Sequence, residues 1–260
     1  MSLDIRQALQ SGVDRATKRN GLMVLGLLFG LRLVNAVVGD SFAERFLIDV
    51  VEYQEILADL RAQADQPIQD PLADGSPFAL LDLPVELLGA LVLALFVVGL
   101  VVDIGVVRTF VSDETRALPV ENFTRRLGRT VLRLLLGTIL YGLAVIVGLV
   151  LFIVPGIYIA VALFFFNYEI VVADKGVLDS FSGSLDLTAD NRLPLFLLGL
   201  IFAVLGFVVS SVAGTALPAG TVPGAIARMG VDAAVSVLGI AVAAQAYNQL
   251  RTTRHENRPQ

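Results

Sequence analysis

Cysteine and tryptophan are absent from the 260 residues, lysine occurs twice and histidine once. Each absence removes chemistry. Without Cys there is no disulfide framework, no thiol nucleophile and no thiolate metal ligand. The lone His255 lies in a polar C-terminal tail, so neither a Ser-His pair nor a His-based metal site has material to form from. Charge is scarce as well, at 17% of residues against 56% hydrophobic. An enzyme built on this chain would have to work with carboxylates alone, and no P-loop, GxSxG or HExxH pattern occurs. No basic, aromatic-interleaved stripe suggests nucleic acid. The expectation is a protein with no catalytic residues, no metal, no cofactor and no nucleic-acid partner.

What is present is apolar length. Mean hydropathy is +0.77, well above what a soluble core of this size requires. Six apolar blocks can be drawn, at residues 21–38, 84–103, 131–154, 156–173, 193–212 and 230–248. Each approaches the about 20 residues that cross a hydrocarbon core about 30 Å thick. Open sheet edges are excluded in lipid and the alternation of a barrel strand is missing. The expected fold is therefore all-α: a polytopic membrane bundle of six transmembrane helices arranged as three hairpins, with amphipathic interfacial helices. The first block lacks a small-x-small cleavage site and reads as a retained span. The chain is then one membrane domain over 1–260. Residues 1–19 form a cytoplasmic amphipathic segment, 39–83 an acidic extracytoplasmic segment, 84–248 the other five spans, and 249–260 a cytoplasmic tail.

Sidedness follows from the basic residues. With the N-terminus inside, 14 of them fall on cytoplasmic pieces, Arg108, Arg125, Arg126, Arg129, Lys175 and Arg192 included, and only Arg45, Arg61 and Arg228 outside. The positive-inside rule then places a multi-pass protein in the plasma membrane with both termini cytoplasmic. Seventeen Arg against two Lys, with 24 acids, is the halophile-like balance of a GC-rich, salt-adapted prokaryote. Segment 39–83 carries ten acids against two arginines. Within it Phe46, Val50, Tyr53, Leu57 and Leu60 alternate steps of four and three, as in an amphipathic helix, either a lid over a cavity or a solvated acidic face. Residues 65–77, with three prolines, read as linker.

The run from Val131 to Ala173 is 43 residues, too long for one crossing. It must turn, and Pro155-Gly156 is where the turn is expected, because Pro lacks a donor and Gly tolerates a left-handed backbone.

Charged groups at bilayer depth cost about 2.5–3.5 kcal/mol each on insertion scales, so each needs a reason. Arg32, Glu86 and Asp232 fall toward the outer ends of their spans, where they can snorkel or meet one another. Asp103, with Arg108, lies toward an inner end and can face water. Glu169 sits about one helical turn from the inner surface, and Asn167 lies about 200° around the helix from it. Two readings stay open for Glu169: a proton or cation transport site, or an interfacial carboxylate paired with Arg192, Arg129 or Lys175. Small residues (Gly137, Gly142 and Gly148; Gly230, Ala234, Gly239 and Ala243) mark close-packed spans at the centre of the bundle or of a dimer. A weak echo links Ser11-Gly12-x4-Thr17-x2-Asn20 to Ser182-Gly183-x4-Thr188-x2-Asn191, each just before a span.

Residues 154–196, "VPGIYIAVALFFFNYEIVVADKGVLDSFSGSLDLTADNRLPLF", carry a VPGIY turn opening a span, an apolar-acidic-Gly stretch, and a Ser-x3-Thr-x2-Asn-Arg segment before the next span. The pattern resembles the prokaryotic glycerophosphoryl diester phosphodiesterase membrane-domain-like and YciC-like multi-span proteins. The matching residues are Val154, Pro155, Gly156, Ile157, Tyr158, Gly176, Ser184, Thr188, Asn191 and Arg192. Where that family often has basic residues and Trp around the serine, this chain has Ser182, Gly183 and Leu185. The resemblance implies a helical membrane domain of largely uncharacterised role, with Ser184, Thr188, Asn191 and Arg192 as its interfacial motif. These 260 residues do not include the phosphodiesterase catalytic domain that such membrane domains sometimes carry, so its activity is not expected of them. The function expected is a lipid- or partner-interacting membrane scaffold or accessory protein, whose partners are membrane lipid and another protein or a second copy of the chain. The alternative is a small-solute or ion transporter using Glu169 with Asn167 or Asp103.

Overall fold

Helices make up the fold from end to end in the computed structural model, which describes residues 3–63, 76–217 and 221–256; among them there is no strand. Two elements open the chain, α1 (Ile5–Thr17) and α2 (Arg19–Asp49), followed by α3 (Tyr53–Gln63) and α4 (Val85–Val111). The middle holds α5 (Val120–Thr124), α6 (Leu127–Leu151), α7 (Ile153–Ala162) and α8 (Phe166–Val171). The chain closes with α9 (Val177–Thr188), α10 (Arg192–Ala216) and α11 (Val222–Glu256). Among the described residues six stretches are able, by length and composition, to cross a membrane: α2, α4, α6, α7 with α8, α10 and α11. Their outward faces stay apolar, with Leu93, Val150 and Phe207 at 68%, 80% and 74% exposure, as expected where lipid and not water is the solvent. Most of the linker expected at 65–77 lies outside the described residues.

The spans form three units, each a short helix followed by two long ones: α1 with α2 and α4, α5 with α6 and α7–α8, and α9 with α10 and α11. The short helices interlock these units. Helix α5 packs on α4 of the unit before it, α9 packs on α8 of the unit before it, and α1 packs on α11 of the last unit, closing a ring. Each seam has a residue without a side chain where the elements touch. A Cβ on Gly12 of α1 would lie 2.7 Å from the Val242 backbone of α11, and one on Gly105 of α4 would fall into the Phe123 ring of α5. The end of the bundle that carries α1, α5, α9 and the last turns of α11 is its basic end.

Two expectations shift. The hairpin between the third and fourth spans is there, but it turns at Phe152, whose extended backbone (φ −159°, ψ 144°) is the single residue between α6 and α7. Pro155 and Gly156 lie inside the first turn of α7. Proline is tolerated there because that turn has N–H groups with no intrahelical acceptor, and a missing donor costs nothing. Gly156 is needed for approach, not for a left-handed bend: a Cβ would come within 2.6 Å of the Leu149 backbone nitrogen. The second shift is in the acidic segment. Helix α2 runs on to Asp49 and the backbone breaks at Glu52 (φ 52°), so the expected amphipathic helix is divided between the end of α2 and α3. Its seam is divided with it, Leu57 being buried while Phe46 and Leu60 are exposed.

Candidate functional site at the basic end

The fourth span is two helices, not one. Between Ala162 and Phe166 the backbone leaves helical geometry, with Leu163 near φ −100°, ψ 13° and Phe165 near φ −98°, ψ 12°. A break at this depth frees backbone groups that lipid cannot satisfy. Helix α9 supplies the partners. The Ser184 hydroxyl donates to the Ala162 carbonyl (3.0 Å) and accepts from the Phe165 N–H (3.1 Å), and the Thr188 hydroxyl also reaches the Ala162 carbonyl (3.0 Å). Ser180, Gly183, Ser184, Leu187 and Thr188 are all buried and repeat at steps of three and four, a helical face thin enough to lie on α8. Two residues of the sequence motif, Ser184 and Thr188, therefore clasp a broken span.

Glu169 is on α8, buried, with both carboxylate oxygens engaged. Tyr247 of α11 donates its hydroxyl to Oε1 (2.9 Å), and Lys175 forms an ion pair with Oε2. The Lys175 N–H also bonds the Glu169 carbonyl (3.2 Å). Gly183 closes over the pair: a Cβ there would stand 2.5 Å from both Glu169 Oε2 and Lys175 Nζ. Of the three cations that the spacing proposes for Glu169, Lys175 is the one that pairs with it. Aromatic rings wall the site, Tyr168, Phe165 and Tyr247 having centroids 5.2–5.6 Å apart.

Beside this pair lies an arginine knot. Asp174, in left-handed backbone (φ 55°), takes Arg125 at 2.8 Å and Arg126 at 3.3 Å, with Arg108 at 4.0 Å. Arg126 is itself left-handed (φ 51°), so two of the three positive-φ residues other than glycine among the described residues face each other across this contact. Arg108 spends its other donors on the carbonyls of Val171, Asn122 and Arg125, and Arg133 on those of Asp174 and Lys175. Guanidinium groups at helix C-termini satisfy the last carbonyls and meet the negative end of the helix dipole. Arg15 of α1 does the same for α4, donating to the carbonyls of Thr109 (2.9 Å) and Ser112, and burial lowers its pKa from the ordinary arginine value.

The rest of the motif makes two further long-range contacts. Asn191 accepts from the Leu3 N–H (2.6 Å), and the Arg192 guanidinium lies 4.8 Å from the centre of the Tyr158 ring, joining the two halves of the motif by a cation–π contact.

The other candidate residues lie apart from Glu169. Asn167 lines a cleft of about 440 Å³ between α8, α10 and α11 with Phe164, Phe202 and Gly239. Arg32 and Asp103 share a different cleft, of about 810 Å³, between α2, α4 and α11. There Arg32 donates to the Ser236 hydroxyl (2.7 Å) and lies 4.0 Å from Asp232. Among the described residues, no group of three or more Asp, Glu, His or Cys is placed to hold a metal. Sequence reasoning missed the clasp and the arginine knot, because their partners are 14 to 63 residues apart along the chain. The spacing of Ser180, Gly183, Ser184, Leu187 and Thr188 was the available signal for the first.

No curated protein and no solved structure matches the chain. A family model described as "Domain of unknown function (DUF7847)" matches residues 3–250, nearly the whole ring of helices, and the chain belongs to that family.

Proposed function

We propose that the protein is a non-catalytic membrane scaffold that holds anionic phospholipid headgroups at its basic end, with that end and both termini on the cytoplasmic side of the plasma membrane. The observation that carries this reading is the arginine knot. Arg125 and Arg126 are 63% and 65% exposed while sharing one carboxylate, and Arg129 is exposed one turn further along. Leu132 and Leu136, exposed on the next turns of α6, continue the same helix into lipid. Guanidinium groups at the edge of an apolar helix face fit a phosphate diester anchored by acyl chains, each basic residue adding about 1 kcal/mol near an anionic surface.

A transport path through Glu169 has less support, because both carboxylate oxygens are already engaged.

The test is lipid retention. Full-length protein in vesicles of mixed phosphatidylglycerol and phosphatidylcholine is extracted, and its bound lipid is measured by mass spectrometry. Enrichment of phosphatidylglycerol that falls in Arg129→Gln, and further in Arg125→Gln/Arg129→Gln, is the expected result. Equal retention of both lipids overturns the lipid reading. Solute flux in the same vesicles that is lost in Glu169→Gln overturns the scaffold reading.

A further inference from the structure

The cleft between α2, α4 and α11 is lined by Leu28, Leu31, Ala36, Met229 and Ile240, with four polar side chains among them: Arg32, Asn35, Asp103 and Ser236. Its position within the spans is set by helix geometry. Asp103 is eight residues before Val111, which at about 1.5 Å per residue puts it about 12 Å along the helix from the basic end of α4, at the end of the apolar stretch 84–103.

The polar groups are unequally satisfied. Arg32 is met by the Ser236 hydroxyl and by Asp232, and Ser236 in turn donates to the Asp232 carbonyl (2.8 Å). Asn35 donates to the Leu31 carbonyl (2.9 Å), which leaves its side-chain oxygen without a donor. Among the described residues nothing hydrogen-bonds or ion-pairs with Asp103. With Arg32 balanced by Asp232, the charge in the cleft without a counter-ion is the Asp103 carboxylate, an acceptor, and beside it the Asn35 side-chain oxygen is an acceptor without a donor. A group that completes them must bring donors and positive charge.

We infer that this cleft is a binding site for an amphiphile with a protonated primary amine, its ammonium on Asp103 and its alkyl body along Leu28, Leu31 and Ile240. An ammonium presents three donors to an acceptor-only carboxylate. A bare inorganic cation fits less well, because a hard ion needs six or more oxygens and the cleft offers few, with a guanidinium among them. The volume, about 810 Å³, lies within the range of small-molecule sites that pair an apolar lining with a few placed polar groups. This inference stands apart from the lipid site at the basic end: it uses different residues and the opposite charge.

The absence of native cysteine allows a direct footprint. Gly99 lines the cleft, and a Cβ there has nothing within 4 Å, so Gly99→Cys places one thiol in the site without a clash. Gly206→Cys on α10, equally free of neighbours, is the control for bilayer effects. Each full-length variant in nanodiscs is alkylated with N-ethylmaleimide, with dodecylammonium or with uncharged dodecanol present. Dodecylammonium at ten times its Kd slows alkylation of Gly99→Cys about tenfold by mass action. Dodecanol does not, the Gly206→Cys thiol is unaffected, and protection is lost in Gly99→Cys/Asp103→Asn but kept in part by Asp103→Glu. Protection by dodecanol as strong as by the amine overturns the proposal. So does protection that survives Asp103→Asn, protection by sodium or potassium chloride alone, or a Gly99→Cys thiol that never reacts.

Discussion

Gly183 and Glu169 are in contact across the α8–α9 seam, where a Cβ on the glycine would stand 2.5 Å from the carboxylate oxygen that Lys175 holds. The absence of a side chain at one position is thus a condition for an ion pair on another helix. Gly183→Ala is expected to separate Glu169 from Lys175 and lower stability by about 1–3 kcal/mol, the usual cost of forcing atoms into a filled space. Thermal unfolding in detergent measures it. Gly199→Ala, where nothing lies within 4 Å of the added carbon, is the control and is expected to leave the melting temperature unchanged or slightly raised. Equal melting temperatures for the two variants would show that the seam is loose.

The same pair predicts strong non-additivity. Removing one member of a buried ion pair costs about 3–5 kcal/mol, because the other charge is left without compensation. Lys175→Met strands Glu169, whose side chain is only 7% exposed. Lys175 is 34% exposed, so the larger loss is expected from Lys175→Met and the smaller from Glu169→Gln, which frees a lysine able to turn to water. The double variant should recover much of the loss, with a coupling of about 1–3 kcal/mol in a double-mutant cycle. Additive losses would mean that the two side chains do not depend on each other.

The broken span makes a third case. Ser184→Ala removes the acceptor for the Phe165 N–H, leaving one buried backbone donor unmet at about 1–3 kcal/mol, and takes one of the Ala162 carbonyl's two donors as well. Thr188→Val removes only one of the Ala162 carbonyl's two donors and should cost less. Hydrogen exchange reads the difference locally. The Phe165 amide is expected to lose protection in Ser184→Ala and keep it in Thr188→Val.

These positions show how far the sequence can be read unaided. Six spans were legible because length and hydropathy are local quantities, and the tight hairpin between the third and fourth followed from a run too long for one crossing. Its turn fell three residues before Pro155 because proline serves a helix start as well as a helix end, and only the packing of Gly156 on Leu149 decides between them. The break at residues 163–165 has no local signal. A Leu-Phe-Phe stretch contains no helix breaker, and the groups that stabilise the break sit about 20 residues downstream. Lys175 was visible as one of three partners for Glu169, since it lies six residues away. The shared cleft of Arg32 and Asp103 depends on how α2 and α4 lean on α11, which no spacing along one helix can express.

The hairpin at Phe152 also fixes how far a topology test can discriminate. If α6 and α7 cross and return, Val154 at the start of α7 and Gly128 at the start of α6 lie at opposite ends of the hairpin, separated by the 25 residues of α6, about 37 Å. Val154 is 76% exposed, Gly128 is exposed with no neighbour within 4 Å of an added carbon, and no native thiol gives background. With the basic end in the cytoplasm, a cysteine at 154 in intact cells should react with a membrane-impermeant maleimide. A cysteine at 128 should react only after the cells are opened. The opposite pattern would invert the whole bundle and place the arginine knot outside. Labelling of both from outside would refute the crossing hairpin, since a single short segment lying along one surface is the arrangement that exposes both ends together.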